Sequence, residues 1–372
     1  MRRYKATRSF PHWAIVALLI LLAPTPGGAE EGQAPSSSVR PPAGAAAPAR
    51  PGDDAEMWKK VREGVAGKVS IPDKKAAQLV QSDGEAWRNF RNGPLVRYGA
   101  WAIGGMLALL CAFYLIRGRI AIEEGFAGRT LARFGEWERF AHWLLALSFI
   151  TLAVTGLNIL YGRYLLLPLI GADAFSLIAR WGKLLHDYVA FAFIIALLLV
   201  AIQWIPQNLA SWRDIVWLAK GGGIFGRAHP PAWKFNAGQK ILFWLVMLGG
   251  LSLSLSGLAL LFPFQVPLFA KTFHLLDMAG LKLPTTLTPL QEMQYASSWH
   301  SILALALIAV IIAHIYIGTL GMQGAFSAMA NGRVDVNWAK EHHSLWAEQE
   351  LKRMESAAAA ETDAARLAAE PR

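Results

Sequence analysis

Five long apolar runs constrain this chain more than any other feature. They are roughly Tyr98–Ile116, Phe140–Tyr161, Leu184–Ile205, Ile241–Phe264 and Trp299–Leu320. A helix rising about 1.5 Å per residue needs about 20 apolar residues to cross a hydrocarbon core about 30 Å thick, and each run has that length. In lipid the backbone must satisfy its own N–H and C=O groups, and runs of this length do so as helices. The expected fold class is therefore an all-α membrane protein with five spans. With 54% of its 372 residues hydrophobic and only 17% charged, the chain is too apolar for an ordinary soluble domain.

The charge distribution orients the spans. Arg117, Arg119, Arg129 and Arg133 lie between the first two runs, and Arg213, Lys220, Arg227, Lys234 and Lys240 between the third and fourth. Only Lys271 and Lys282 lie between the fourth and fifth, while the second connection is mixed, with Arg163, Arg180 and Lys183. The positive-inside rule then puts the two basic loops and the C-terminus in the cytoplasm of a bacterial inner membrane. The net charge of +10 is read the same way, with lipid rather than nucleic acid as the partner.

The N-terminus reads MRRYKATRSF, then WAIVALLILLA, then PTPGGAEE, which is the pattern of a secretory signal peptide ending at Ala29, with an uncleaved signal anchor as the alternative. Residues 30–97 are a periplasmic linker and extension. They begin Pro/Ala/Gly/Ser-rich and become polar and partly helical, with Trp58 and Trp87. Residues 331–372 are a cytoplasmic tail, charged and then Ala/Glu-rich, expected to be a solvated helix or disordered.

Four histidines fall inside spans, where ionisable groups are costly and usually functional. His300 and His314 share the fifth span in "SSWHSILALALIAVIIAHIYIG". Fourteen residues bring them within about 40° of one face and about 21 Å apart along the axis. His142 opens the second span and His186 the third. Following the crossings, His142 lies level with His314 near the cytoplasmic face, and His186 with His300 near the outer face. Two imidazoles opposed at one depth make an axial pair for a haem iron. A single interfacial histidine would need no such explanation, but two level pairs do. Zinc is the weaker reading, because a structural zinc wants four close ligands. His229, His274, His342 and His343 fall in loops or the tail and read as solvated. The one cysteine, Cys111, excludes a disulfide framework, a C-x-x-C-H haem attachment and an iron–sulfur cluster on this chain.

Two smaller motifs accompany the histidines. "TGL" at Thr155–Leu157 and "SGL" at Ser256–Leu258 recur near the outer ends of two spans, where small residues let a macrocycle or a helix come close. "WKFNAGQKILFW" opens the fourth span at the level of His314. Its Asn236 is either a helix N-cap or a hydrogen-bonding partner for a quinone head group, with Gly238 giving room for the ring.

These residues resemble one family. RFGEWERFAHW, LLHDY, KFNAGQK, the segment bearing His300 and His314, and NGRVDVNWAKEHHSLWAEQ are similar to the cytochrome b membrane subunit of respiratory formate dehydrogenases, over about Arg133 to Glu350. The resemblance implies a four-helix di-haem bundle, here over 134–325, plus one extra N-terminal transmembrane helix at 98–116. It implies two b-type haems, the outer on His186 and His300 and the inner on His142 and His314. It implies a quinone site at Asn236, Gly238 and His314. It also implies two partner chains, an iron–sulfur subunit and a molybdenum- or tungsten-containing catalytic subunit. The long N-terminal addition departs from the shortest members. Two rivals remain: the di-haem cytochrome b of a nickel–iron hydrogenase or a related reductase, and a haem-free anchor or transporter.

Overall fold

The computed structural model describes residues 82–223 and 230–369. The expected signal peptide, the linker with Trp58, His12 and His229 lie outside the described residues. Among the described residues, five helices are long and apolar enough to cross a membrane: Gly84–Arg117, Glu136–Leu165, Leu167–Asn208, Ala237–Leu261 and Pro289–Gly321. The chain is an all-α multi-pass membrane protein.

Helix α1 (Ser82–Phe90) runs through a wide turn at Arg91–Leu95 into α2 (Val96–Arg117). Pro94 lies in that turn; it has no N–H to donate, and the helical ladder widens there by one residue. After strand β1 (Thr130–Ala132) come α3 (Glu136–Leu165) and α4 (Leu167–Trp204). The short α5 (Trp212–Ala219) precedes α6 (Ala237–Leu261), and α7 (Leu268–Asp277) precedes α8 (Pro289–Tyr316). The chain closes with α9 (Ser327–Ala330), β2 (Arg333–Asp335), α10 (Val336–His342) and α11 (Ser344–Ala369).

Helices α3, α4, α6 and α8 pack as a bundle, and α2 lies against α8. Their outward faces stay apolar, with Ile202 76% and Leu248 62% exposed, as lipid-facing side chains should be. Inside, Phe193, Leu197, Val200, Phe243 and Met247 form a core. That core does not stop at the membrane boundary. It continues through Trp204, Phe134 and Phe235 into a cap built from β1, β2, α10 and the start of α11, with Leu131, Val334, Trp338 and Trp346 buried. The two strands pair antiparallel, Leu131 opposite Val334, so the first connection is stitched to the tail. Just beyond α2, Ile120 bridges to Met322, which ties the ends of α2 and α8 together at the same level.

Two expectations need correcting. The third span does not begin at Leu184. Its helix starts at Leu167 and is interrupted only at Gly171, whose φ of +79° breaks the regular ladder. Arg180 and Lys183 are therefore helical rather than in a mixed loop; Lys183 pairs with Asp187 one turn on and stays exposed. The tail is not simply solvated. Its first half is packed, and His343 is 1% exposed. Charged residues are interspersed through that stretch, but Val334, Val336, Trp338, Ala339, Trp346 and Ala347 are all buried in one cluster. From Lys352 to Asp363, in the Ala/Glu-rich part of α11, the residues are exposed, as expected.

Candidate functional site

The four intramembrane histidines meet in two pairs. His142 of α3 faces His314 of α8, with ring centres 6.3 Å apart and planes at 69°. His186 of α4 faces His300 of α8, again at 6.3 Å and with planes at 67°. All four rings are half-buried. A metal–imidazole bond is about 2.0–2.1 Å and a ring nitrogen lies about 1.1 Å from its ring centre, so two imidazoles on opposite sides of one metal have centres about 6.3 Å apart. Both pairs have the separation an axial bis-imidazole site requires. Among the described residues no group of three or more His, Cys, Asp or Glu side chains gathers to hold a metal ion.

The two pairs differ in what stands behind the rings. Thr155 Oγ1 lies 2.8 Å from His186 Nδ1, and Ser256 Oγ lies 2.9 Å from His300 Nδ1. Each hydroxyl also donates to its own helix, Thr155 to the Thr151 carbonyl at 2.7 Å and Ser256 to the Ser252 carbonyl at 2.9 Å. A hydroxyl has one proton. With it committed to the backbone, the oxygen accepts from Nδ1–H, and Nε2 is left as the lone-pair nitrogen that can ligate. This is the outer-sphere support that fixes tautomer and ring orientation at a metal. The following glycines, Gly156 and Gly257, lie against those rings: a Cβ there would be 3.4 Å and 3.5 Å from the Cε1 atoms of His186 and His300, in ordinary van der Waals contact. The recurrence of Thr-Gly-Leu and Ser-Gly-Leu was therefore a signal for histidine support as well as for close approach. By contrast, Nδ1 of His142 is buried with no hydrogen-bond partner among the described residues.

Polar groups crowd the cap end beside His142. One turn before it, Glu138 Oε1 accepts from Lys234 Nζ at 2.7 Å and from Trp204 Nε1 at 2.9 Å. Trp204 in turn contacts the His142 ring, with centres 6.4 Å apart. Arg133 is 4% exposed and sits among Phe134, Trp338 and Trp346, its Cζ 5.0–5.3 Å from each ring centre. It donates to the Lys234 carbonyl and to His343 Nε2, while His343 Nδ1 lies 2.7 Å from the Trp233 carbonyl. Burial lowers the Arg133 guanidinium to about 9, partly offset by Glu138, so it stays cationic at neutral pH. Burial and the Arg133 charge hold His343 well below the usual histidine range, and it is neutral. Sequence composition hid both of these groups.

Asn236 is the N-cap of α6. Its Oδ1 accepts from Gln239 N at 3.0 Å, and Gln239 Oε1 accepts from Asn236 N at 3.1 Å, a reciprocal capping box. The Trp217 ring covers Gly238, lying 3.3 Å from where a side chain would start. The cavity touching Asn236 is about 10 Å³, the size of one water. A larger groove of about 580 Å³ opens alongside, lined by Trp212, Arg213, Trp233, Lys234, Lys240 and Trp346 among others. Asn236 and Gly238 make no hydrogen bond or ring contact with His314.

Residues 133–332 match the family model described as prokaryotic cytochrome b561. The chain is 28% identical over 231 residues to the cytochrome b556 subunit of a formate dehydrogenase from Escherichia coli strain K12, covering 62% of this chain and 97% of that protein. It is 26% identical over 212 residues to the cytochrome b556 subunit of the nitrate-inducible formate dehydrogenase of the same organism, covering 56% and 86%. A formate dehydrogenase cytochrome b556 subunit from Haemophilus influenzae is 26% identical over 219 residues, covering 57% and 80%.

Proposed function

Because this chain belongs to the prokaryotic cytochrome b561 family, which implies b-type haem, we propose that it is the membrane electron-transfer subunit of a formate dehydrogenase complex. Electrons pass from an iron–sulfur subunit, across the membrane, to quinone near the cytoplasmic face. Formate oxidation takes place on a separate molybdenum- or tungsten-containing subunit. The observation that carries this reading is the pair of histidine contacts at 6.3 Å, one in the last turn of α8 and one fourteen residues before it.

In this reading His186 and His300 hold the outer haem, and His142 and His314 the inner one. Each haem, when bound, supplies a one-electron couple buried in a low-dielectric bundle. The chain's own residues do the rest. Thr155 and Ser256 orient the outer imidazoles and keep Nε2 free of protons. The fourteen residues between His300 and His314 set a spacing of about 21 Å along the helix. The apolar faces of α3, α4, α6 and α8 keep water out of the bundle. The basic connections gather at the cap end, which is therefore cytoplasmic, and residues 30–97 lie in the periplasm behind a signal peptide at 1–29. Asn236, Gly238 and His314 are the quinone-site residues of this reading; since Asn236 caps α6, its amide NH2 is the group left to meet a quinone oxygen.

The test is to purify the chain from its native membranes without dissociating partners and add formate under anaerobic conditions. The expected result is rapid appearance of reduced b-type absorbance, with iron–sulfur and molybdenum- or tungsten-containing subunits in the same preparation. Reduction by hydrogen but not by formate would move the chain to a hydrogenase, and absence of haem absorbance would overturn the cytochrome reading altogether.

A further inference from the structure

Among the described residues Arg133 is a buried cation without an ion-pair partner, Glu138 acting on it only from beyond contact. No carboxylate lies within ion-pair distance of it among the described residues, its Nη1 has no hydrogen-bond partner, and its other contacts are a carbonyl, a neutral histidine and three aromatic faces. Buried charges are ordinarily paired, because leaving water is expensive. The surrounding groups do not cancel it. Lys234 and Glu138 pair with each other, as do Lys240 and Asp214. The local sum over Arg133, Lys234 and Glu138 is one positive charge. Arg133 is also close to the site: its Cζ is 5.3 Å from the Phe134 ring, Phe134 is 5.5 Å from Trp204, and Trp204 is 6.4 Å from His142. At the opposite end of α8 the sign reverses. Glu292 is 2% exposed, and its two oxygens accept from Phe269 N and Ala270 N rather than from a cation.

Resting on the function proposed above, we propose that Arg133 acts as a fixed positive charge that raises the reduction potential of the haem held by His142 and His314, making the cap end the electron sink of the bundle. Reducing a haem adds one negative charge, and a desolvated cation nearby favours that state. A unit charge about 15 Å away at an effective dielectric of about 20 changes a one-electron equilibrium on the order of fivefold. The aromatic box keeps the guanidinium from leaving for water, and the neutral His343 accepts from it without adding charge.

The test is a potentiometric titration of the haem absorbance in the purified complex, comparing wild type with Arg133→Gln, Arg133→Lys, Trp346→Leu and Glu138→Gln. Arg133→Gln should make one haem about fivefold harder to reduce, roughly 40 mV at 59 mV per tenfold, and leave the other in place. Arg133→Lys and Trp346→Leu keep the charge while disturbing the box, and should leave both midpoints near wild type. Glu138→Gln removes the opposite charge and should shift the same haem upward. If Arg133→Gln does not assemble, Glu138→Gln decides alone: an unmoved or lowered midpoint overturns the proposal. Two bound haems with unmoved midpoints in Arg133→Gln overturn it too, as do equal shifts in Arg133→Gln and Trp346→Leu, which would make loosened packing the cause. A wild-type chain without haem would instead overturn the function on which the inference stands.

Discussion

Behind each imidazole at the far end of the bundle stands a hydroxyl whose O–H donates to the helix backbone. The Thr155 and Ser256 oxygens accept from the Nδ1–H groups of His186 and His300, whereas His142 Nδ1 has no partner among the described residues. The two sites are therefore inequivalent before any cofactor chemistry is considered. Thr155→Val keeps the side chain's shape and removes the acceptor. The expected outcome is a roughly 10- to 100-fold weaker hold on one haem, read as partial loss of a single component on dilution or mild heating, with the other unchanged. Ser256→Ala should affect that same component. Loss spread evenly over both components would contradict the support role. Sequence made the four histidines legible, because a fourteen-residue spacing and a count of crossings need no coordinates. The hydroxyls were visible only as a repeated small-residue motif, since a hydrogen bond between helices leaves no mark in one helix's periodicity.

Hydropathy located the five spans, but it measured the apolar middle of each helix rather than the helix. α8 begins at Pro289, ten residues before the apolar run, because Thr288 and Gln291 cap it there. α4 continues through Arg180 and Lys183 because nothing between Gly171 and Trp204 stops a helix. The extra span, α2, is attached rather than integrated. Its single fully buried side of contact centres on Gly99, where an added Cβ would meet Tyr161 Oη at 2.5 Å and Leu305 Cδ1 at 2.6 Å, and Tyr161 Oη donates to the Val96 carbonyl at 3.0 Å. Gly99→Leu should overpack this contact at a cost of about 1–3 kcal/mol. Because no candidate ligand lies on α2, haem content per chain should stay at the wild-type value while thermal stability falls. A loss of haem in this variant would show that α2 belongs to the bundle's cofactor architecture and not merely beside it.

At the scale of the whole chain, the membrane bundle and the cap share one core. Trp204 touches Phe134 and Phe235 on one side and the His142 ring on the other. The cap was the least legible part of the molecule. Its strands are three residues long, its buried side chains are scattered among charges, and its pairing joins segments two hundred residues apart. Local pattern carries no information about such a contact, so His343 read as surface although it is buried against Arg133. The bundle was legible because lipid imposes one rule on every span, and the histidine pairs because they follow from the order of crossings. The claim on which everything else depends is that four histidines form two independent sites, His186 with His300 and His142 with His314. The most direct test is haem b per chain, measured as the pyridine haemochrome, in wild type, His186→Ala, His300→Ala, the double variant of those two, and the double variant His142→Ala/His186→Ala. The expected values are two, one, one, one and none. A His186→Ala/His300→Ala double variant with no haem, or a His142→Ala/His186→Ala double variant that still holds one, would contradict the pairing.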